Sequence, residues 1–281
     1  MDDALKQDLL GMVERMPAFP QSVNKVIELT SDINCSPKQL VQIIEHDPVM
    51  TMKMLKLVNS PYFGLRSNIS SINHALVYLG LNTVKNMALS IATVGMLKKF
   101  QSPWFNSDDF LLHSLLVATI ARKLGESLPR DKHDPTDFFI AGLLHDFGKL
   151  VFVEFMKDKF HQALDMAHSK AVPLHEAETA IMSVSHADVG AMLGEFWGLP
   201  AELNMCILDH HHFQQEPNSL TDCVFVANQV AKHLQLGNAG NPVIEDFPAH
   251  IQKQFGPLDM VLESLGDLSE ETEKARVFMH L

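Results

Sequence analysis

Apolar residues recur every three or four positions along most of the chain, which is the periodicity of an amphipathic α-helix. Two clear runs of this kind begin at Val23 and at Val189. Sustained alternation of apolar and polar residues is missing, and no Asn-Gly or Asp-Gly pair separates two apolar runs. Strands and hairpins are therefore not indicated. The pattern predicts an all-α protein with about a dozen helices.

Helix starts are marked by capping side chains that stand before proline. Ser36-Pro37, Asp47-Pro48 and Asp134-Pro135 each place a hydrogen-bond acceptor directly before a proline suited to the first helical position. Asp137, three residues after Asp134, adds an approximate capping box. These signals predict three helix N-termini.

Two interruptions of the helical periodicity divide the chain into three predicted parts. The first lies near residues 98–106 and the second at residues 237–242, both with turn-forming residues. We expect an N-terminal helical lobe over residues 1–104 and a second helical lobe over 105–240, which holds most of the histidines. Residues 241–281 are expected to form a tail of one or two helices packed on the body.

The composition limits the classes of partner. The net charge is −12 and the isoelectric point is near 5.6. This balance argues against nucleic acid as a partner, because phosphate binding needs clustered Lys and Arg. No apolar run approaches the length of a membrane span, and no secretory leader is visible. With three scattered cysteines, these features favour a cytoplasmic protein that does not enter a membrane.

The pair His145-Asp146 is the first candidate site. Imidazole beside carboxylate suits a divalent metal such as Zn, Mn or Fe. Neighbours on a regular helix point about 100° apart, so the pair shares one ion only if the backbone departs from regularity. Gly148 lies close enough to permit this, and Lys149 adds a cation where an anionic substrate could meet it. The alternative is a hydrogen-bonded pair that ties two helices together.

Further candidates are spread along the chain, and each has a structural alternative. Asp109 and His113 lie four residues apart on one helix face, although Asp109 could simply complement the helix dipole. His186 follows a predicted cap and could be solvated. His210 and His211 belong to a run of three histidines that could be a surface turn. Asn228 lies in an apolar helix, where it could satisfy a buried carbonyl.

In this order along the chain, these residues resemble the HDOD family, the HD-related output domains of bacteria, over roughly Met12 to Leu236. In the N-terminal part the resemblance rests on Met16-Pro17-Ala-Phe19-Pro20, Asp47-Pro48, Leu55-Lys-Leu-Val-Asn59-Ser60, Ile72-Asn-His-Ala75 and Leu79-Gly80. In the second part it rests on His113-Ser-Leu-Leu-Val-Ala, Leu144-His145-Asp146-Phe-Gly148-Lys149, Ser185-His186-Ala-Asp-Val-Gly190, Trp197-Gly-Leu-Pro200 and His210-His211.

The resemblance implies a two-lobed all-α fold with an HD-type helix bundle in the C-terminal lobe, related to the HD and HD-GYP metal-dependent phosphohydrolases. It also implies a divalent metal (Fe, Mn, Zn or Mg) and a set of ligand positions. Carried over by position, the metal-ligand candidates are His113, His145, Asp146, His186, His210, His211, Asn228 and Asp109. The catalytic candidates are Lys149, where relatives keep a lysine near the scissile phosphate, and Asp146.

Two departures from the catalytic relatives bear on activity. Asn228 stands where they have a late aspartate, and the Gly-Tyr-Pro motif is missing after His212. The second departure argues against hydrolysis of cyclic-di-GMP. Two divalent ions would bring four positive charges against the two negative charges of Asp146 and Asp109, so a single ion, or an empty site with trapped water, is electrostatically easier.

Three functions remain open. The first is a regulatory module of bacterial signal transduction that binds a partner protein or a small phosphorylated ligand. The second is a metal-dependent phosphohydrolase acting on a phosphomonoester or a nucleotide phosphodiester, cyclic or linear. The third is a histidine network that only holds the helices together. The sequence does not indicate the oligomeric state.

Overall fold

The computed structural model describes residues 3–30, 35–60, 63–65, 68–96, 105–129, 131–212, 218–241 and 243–279. Within these ranges the regular structure is helical and contains no β-strand, which confirms the all-α prediction. The first helices are α1 (Asp3–Val13), α2 (Gln21–Thr30), α3 (Pro37–Glu45), α4 (Pro48–Val58), α5 (Ile72–Leu79), α6 (Leu81–Met96), α7 (Ser107–Ser127), α8 (Pro135–Leu144) and α9 (Gly148–Phe155). They are followed by α10 (Lys157–Lys170), α11 (Leu174–Met182), α12 (His186–Phe196), α13 (Ala201–Asp209), α14 (Ser219–Leu234), α15 (Ala249–Phe255), α16 (Leu258–Leu265) and α17 (Ser269–Met279).

The described ranges hold seventeen helices, more than the predicted dozen, because several apolar runs are broken by very short turns. Gly80 alone separates α5 from α6, and its φ of 82° lies in the region that favours glycine. Met156 alone separates α9 from α10. A break of one residue barely disturbs the apolar periodicity, so the sequence pattern does not show it.

The predicted caps are present in two of three cases. The Asp47 carboxylate accepts a hydrogen bond from the Met50 N–H, and Asp134 and Asp137 form a full capping box. Ser36 has the extended backbone of a capping residue, but its side chain makes no cap hydrogen bond. At Ser36 the prediction was therefore wrong about the side chain and right about the helix start.

Contacts between helices fall into two main groups. Helices α2 to α6 pack on one another, and α7, α8 and α14 pack together at the centre of the second group. The groups meet where α6 lies on α8, and there Asn86 donates hydrogen bonds to Thr136 and Asp137. Helix α1 packs on α9 and α12, beyond the predicted boundary at residue 104. That boundary lies outside the described residues and stays a prediction.

Residues 243–279, which the structure describes, contain three helices where the sequence predicted one or two. Helix α17 packs along α7, and α16 lies on α14. The Lys123 ammonium on α7 lies 3.1 Å from the Glu271 carboxylate and donates to the Leu265 carbonyl. None of the helices in the described ranges is both long and apolar enough to cross a membrane.

Helices α7 and α8 approach each other very closely. A Cβ built on Gly142 of α8 would lie 2.7 Å from the Ala118 Cα of α7. Only a residue without a side chain permits this distance between the two backbones. The close crossing carries the C-terminal end of α8, and with it His145, towards His113 on α7.

Candidate metal centre

The His145-Asp146 pair lies in the tight turn between α8 and α9. The Phe147 N–H donates to the Leu144 carbonyl and the Lys149 N–H to the Asp146 carbonyl, each three residues back. The backbone thus departs from the regular α-helical pattern at this point, as sharing an ion requires. Gly148 serves a different purpose from the expected one, because a Cβ there would lie 1.9 Å from the His186 carbonyl oxygen. Its lack of a side chain lets α9 touch the start of α12.

Five histidines converge on the buried Asp146 carboxylate. On the Oδ1 side, His186 Nε2 lies at 3.0 Å and His210 Nε2 at 3.7 Å. On the Oδ2 side, His145 Nε2 lies at 3.3 Å and His113 Nε2 at 3.9 Å. His211 completes the first group, with its Nε2 3.2 Å from that of His186. All six side chains are buried.

In two of the rings, a hydrogen bond on the far side fixes the position of one proton. Nδ1 of His145 lies 2.7 Å from the Gly142 carbonyl oxygen, and Nδ1 of His210 lies 2.7 Å from that of Ile207. A carbonyl oxygen can only accept, so Nδ1 carries a proton in both rings and Nε2 is the nitrogen left to bind a metal. These Nε2 atoms face a carboxylate and one another. Such a cluster is repulsive unless a cation or a proton lies between its members.

The charge states of the buried groups suit a cation. Burial lowers the pKa of His113 and of His210 to about 3 and that of His211 well below its usual value. These three rings are therefore neutral at pH 7, as a metal ligand must be. His186 differs, because burial opposes its protonation but Glu178 raises its pKa, so a metal would have to displace a proton there. Burial opposes ionisation of Asp146, but His145 and Lys149 hold the pKa of its carboxyl well below the usual range. Asp146 is thus a carboxylate in the folded protein.

The spacing of the ligand atoms also fits a metal ion. A tetrahedral ion with bonds of about 2.0–2.1 Å holds its ligand atoms about 3.3 Å apart. Four of the contacts among His186, His210, His211 and Asp146 Oδ1 lie between 3.0 and 3.7 Å, and all ligand atoms of this group lie within 4.8 Å of one another. Among the described residues, the Nε2 atoms of His113 and His145 have no hydrogen-bond partner, although both are buried. The buried histidines and Asp146 can therefore bind a divalent metal.

The ligand atoms form two groups that share Asp146. One consists of Asp146, His186, His210 and His211, and the other of Asp146, His113 and His145. We call their union the HD cluster. Two of the eight residues predicted as ligands lie outside these groups, which were sought among the His, Cys, Asp and Glu residues that the structure describes. They are Asp109 and Asn228.

Asp109 is exposed in the first turn of α7. Its carboxylate accepts a hydrogen bond from the Asn106 side-chain amide, and its backbone N–H donates to the Asn106 oxygen. Asp109 therefore belongs to the capping arrangement of α7, in the first turn where it could also complement the helix dipole. Asn228 is buried on α14 and lines a cavity beside the HD cluster, with an Oδ1 that has no hydrogen-bond partner among the described residues.

This cavity has a volume of about 320 Å³. Its lining is mostly polar and comprises His113, Asp146, Lys149, His168, Asn228, Lys232, Gln235, Gly237, Asn238, Ala239 and Asn241. The Lys149 ammonium is buried and donates to Asp146 Oδ2 at 2.7 Å and to the Ala239 carbonyl at 2.9 Å. The segment after α14 thus covers Lys149 from one side.

The sequence analysis missed four buried or partly buried residues beside the cluster. Glu178 contacts His186, Glu245 contacts His211, Lys232 pairs with Glu245, and the His175 ring stacks on His211 at 4.1 Å. None of them belongs to a recognisable motif. The charge argument for a single ion counted only Asp146 and Asp109, whereas three carboxylates and two ammonium groups lie in and around the HD cluster. The number of ions stays open.

Comparison with known proteins places this fold and cluster in a family. The HDOD domain family matches residues 16–213, and the chain therefore belongs to the HDOD family. An uncharacterized protein from Treponema pallidum (strain Nichols) is 28% identical over 251 residues. That match covers 87% of this chain and 47% of the relative, so the chain spans about half the length of the curated relative it matches.

Two solved structures share the fold. The first is an HDOD domain protein of unknown function from Geobacter sulfurreducens, with a TM-score of 0.75 and 24% identity over 98% of this chain and 96% of that one. The second, from Shewanella amazonensis SB2B, is provisionally named a phosphohydrolase. It has a TM-score of 0.73 and 22% identity over 96% of this chain and 97% of that one. At these identities the likeness concerns the fold alone.

Proposed function

We propose that this chain is a regulatory HDOD module of bacterial signal transduction whose HD cluster holds at least one divalent metal. The observation that carries the proposal is the convergence of the Nε2 atoms of five buried imidazoles, three of them neutral, on the ionised Asp146. Such an arrangement is costly to bury without a cation. The metal would stabilise the helical module, and the module would bind a partner protein or a small phosphorylated ligand.

Two features favour regulation over turnover. First, Asp146 and the other members of the HD cluster are almost fully buried, which leaves a substrate little access to an ion. Second, Lys149 is held by Asp146 and by the Ala239 carbonyl, so its charge is already partly offset. Asn228 in place of an acidic ligand weakens the site further, because a neutral amide oxygen binds a divalent ion less strongly than a carboxylate.

A phosphohydrolase is the second candidate, and the cavity beside the HD cluster favours it. Lys149 and Lys232 both line this cavity, and a phosphate group would find two cations there. When bound, a divalent metal would polarise a phosphoryl oxygen and lower the pKa of a bound water. The residues of the chain would bind and orient the phosphate, and Lys149 would stabilise its charge.

The experiment that separates these functions measures metal and turnover on the same samples. The protein is purified without chelator, and its metal content is determined by inductively coupled plasma mass spectrometry. We expect one or two equivalents per chain, retained in Asp109→Asn and lost in Asp146→Ala, because Asp146 belongs to both groups of ligand atoms. Turnover of p-nitrophenyl phosphate and bis-p-nitrophenyl phosphate is then tested with Mn²⁺, Fe²⁺ and Zn²⁺.

Each outcome decides between the candidates. Bound metal without turnover supports the regulatory module. Metal-dependent turnover that disappears in Lys149→Ala supports the phosphohydrolase. Protein that binds no metal contradicts both and leaves the histidine network that only holds the helices together.

A further inference from the structure

Two glutamates outside the HD cluster each face the far nitrogen of one of its histidines. Glu178 Oε2 lies 2.5 Å from His186 Nδ1 and also accepts the His186 backbone N–H at 2.8 Å. Glu245 Oε2 lies 3.3 Å from His211 Nδ1. A carboxylate on Nδ1 leaves Nε2 as the nitrogen that points into the cluster.

The position of Glu178 follows from the turn between α11 and α12. Ser183 ends α11 in the left-handed region, with a φ of 61°, and the chain doubles back so that α12 begins at His186. Glu178 is fully buried, and among the described residues its Oε1 has no hydrogen-bond partner. A buried carboxylate bonded only to His186 needs positive charge nearby. An ion on the opposite side of the same ring would supply it.

Two side chains of α14 hold Glu245 in place. Its Oε1 receives a hydrogen bond from the Lys232 ammonium at 2.9 Å, and its backbone N–H donates to Gln229 Oε1 at 2.9 Å. Lys232 in turn donates to the Val243 carbonyl at 3.0 Å. This network aims the remaining oxygen of Glu245 at His211.

We propose that Glu178 and Glu245 are positioning residues that hold His186 and His211 in the tautomer and ring orientation needed to bind a metal. This inference rests on the proposed function, since it requires an ion in the HD cluster. Carboxylates behind metal-bound histidines typically strengthen metal binding about 10–100-fold. The two glutamates would thus act on the metal through the histidines, without touching it.

One other interpretation of the same residues has to be distinguished. The ligand atoms of His175, His211 and Glu245 also lie close enough together for a separate ion. Such an ion would require both nitrogens of His211 to bind metal, if the HD cluster is occupied. Glu245 is also already paired with Lys232. The geometry therefore favours the positioning role.

The test compares isosteric variants with exposed controls. Glu178→Gln and Glu245→Gln keep the size of the side chain and remove its charge. Glu176→Gln, on an exposed residue of α11, and Asp246→Asn, beside Glu245, are the matched controls. The affinity for Zn²⁺ is measured by competition with a chelator. The visible absorption spectrum of the Co²⁺ form reports the ligand geometry, and circular dichroism confirms that each variant is folded.

We expect Glu178→Gln to weaken Zn²⁺ binding by about 10–100-fold and to shift the Co²⁺ spectrum. Glu245→Gln should weaken it by about 10-fold, because its contact is longer, and both controls should bind as the original chain does. Unchanged affinity in both glutamine variants, with metal bound to the original chain, would overturn this inference and leave the proposed function intact. Loss of one whole equivalent in Glu245→Gln would overturn the positioning role of Glu245, since it would make Glu245 a ligand. An original chain that binds no metal would overturn the proposed function and this inference with it.

Discussion

The contact between Gly148 and the start of α12 allows a sharp test of how the HD cluster is assembled. In Gly148→Ala the added Cβ would lie 1.9 Å from the His186 carbonyl oxygen and 2.6 Å from the Gly190 nitrogen. Both neighbours are backbone atoms, so neither can turn aside as a flexible side chain would. The two helices must therefore separate.

The size of the effect follows from that overlap. Real Cβ contacts are essentially never shorter than 3.0 Å, so the backbones must move apart by about 1.1 Å at this point. Overpacking typically costs about 1–3 kcal/mol, and a clash between two backbones should lie at the upper end, near 3 kcal/mol. With an unfolding entropy of about 2.1 cal/mol/K per residue, the melting temperature of this 281-residue chain should fall by roughly 5 °C. Because His186 moves with α12, its Nε2 should leave the 3.0 Å contact with Asp146, and metal affinity should fall as well.

The assay is thermal and urea unfolding of metal-free protein, followed by Zn²⁺ titration. Gly11→Ala is the control, because Gly11 lies within α1 and a Cβ there would meet nothing within 4 Å. The control should be neutral or more stable by up to about 1 kcal/mol, since alanine favours helix over glycine. If Gly148→Ala unfolds and binds Zn²⁺ as the original chain does, the close approach of α9 and α12 is not required.

Three further predictions concern caps, close contacts and metal. Asp47→Ala should destabilise the protein by about 1 kcal/mol at pH 7, as measured by urea unfolding with exposed Glu45→Ala as control. Hydrogen bonds from Met50 and Ser22 lower the pKa of Asp47. The stabilisation by its carboxylate should therefore be present above pH 4 and disappear as the pH falls through the lowered pKa. An Asp47→Ala effect of the same size at neutral pH and below that pKa would contradict the cap. Gly237→Ala should lower the free energy of unfolding by about 2 kcal/mol or more, because Gly237 has a φ of 74° and a Cβ would lie 2.4 Å from the His113 backbone nitrogen. An unchanged free energy of unfolding would refute this contact. Adding Zn²⁺ to chelator-treated protein at 100 times its dissociation constant should stabilise the fold by about 2.7 kcal/mol, and an unchanged melting temperature would contradict metal binding.

The fold was largely predictable because each helix buries an apolar face that recurs with the helical period. The caps at Asp47 and Asp134 were predictable because each capping side chain bonds to a residue only two or three positions further along the chain. The number of helices was not, because single residues such as Gly80 and Met156 end helices without disturbing the pattern.

The candidate site was predictable only in part from the sequence. The histidines and Asp146 were found through motifs, but Glu178 and Glu245 lie 8 and 34 residues from the histidines they contact. Only the folded chain brings them together. Asp109 shows a different limit, because a residue four positions away on a helix lies on the same face but about 6 Å along the axis. That distance places Asp109 at the exposed start of α7, where Asn106 binds it.

The central claim is that the HD cluster binds a divalent metal, and anomalous diffraction tests it most directly. Crystals grown with Zn²⁺ would be measured on both sides of the zinc absorption edge. We predict an anomalous peak about 2.0–2.2 Å from Asp146 Oδ1 and from the Nε2 atoms of His186, His210 and His211. A cluster without an anomalous peak, with those nitrogens bonded to water or to one another, would contradict the account.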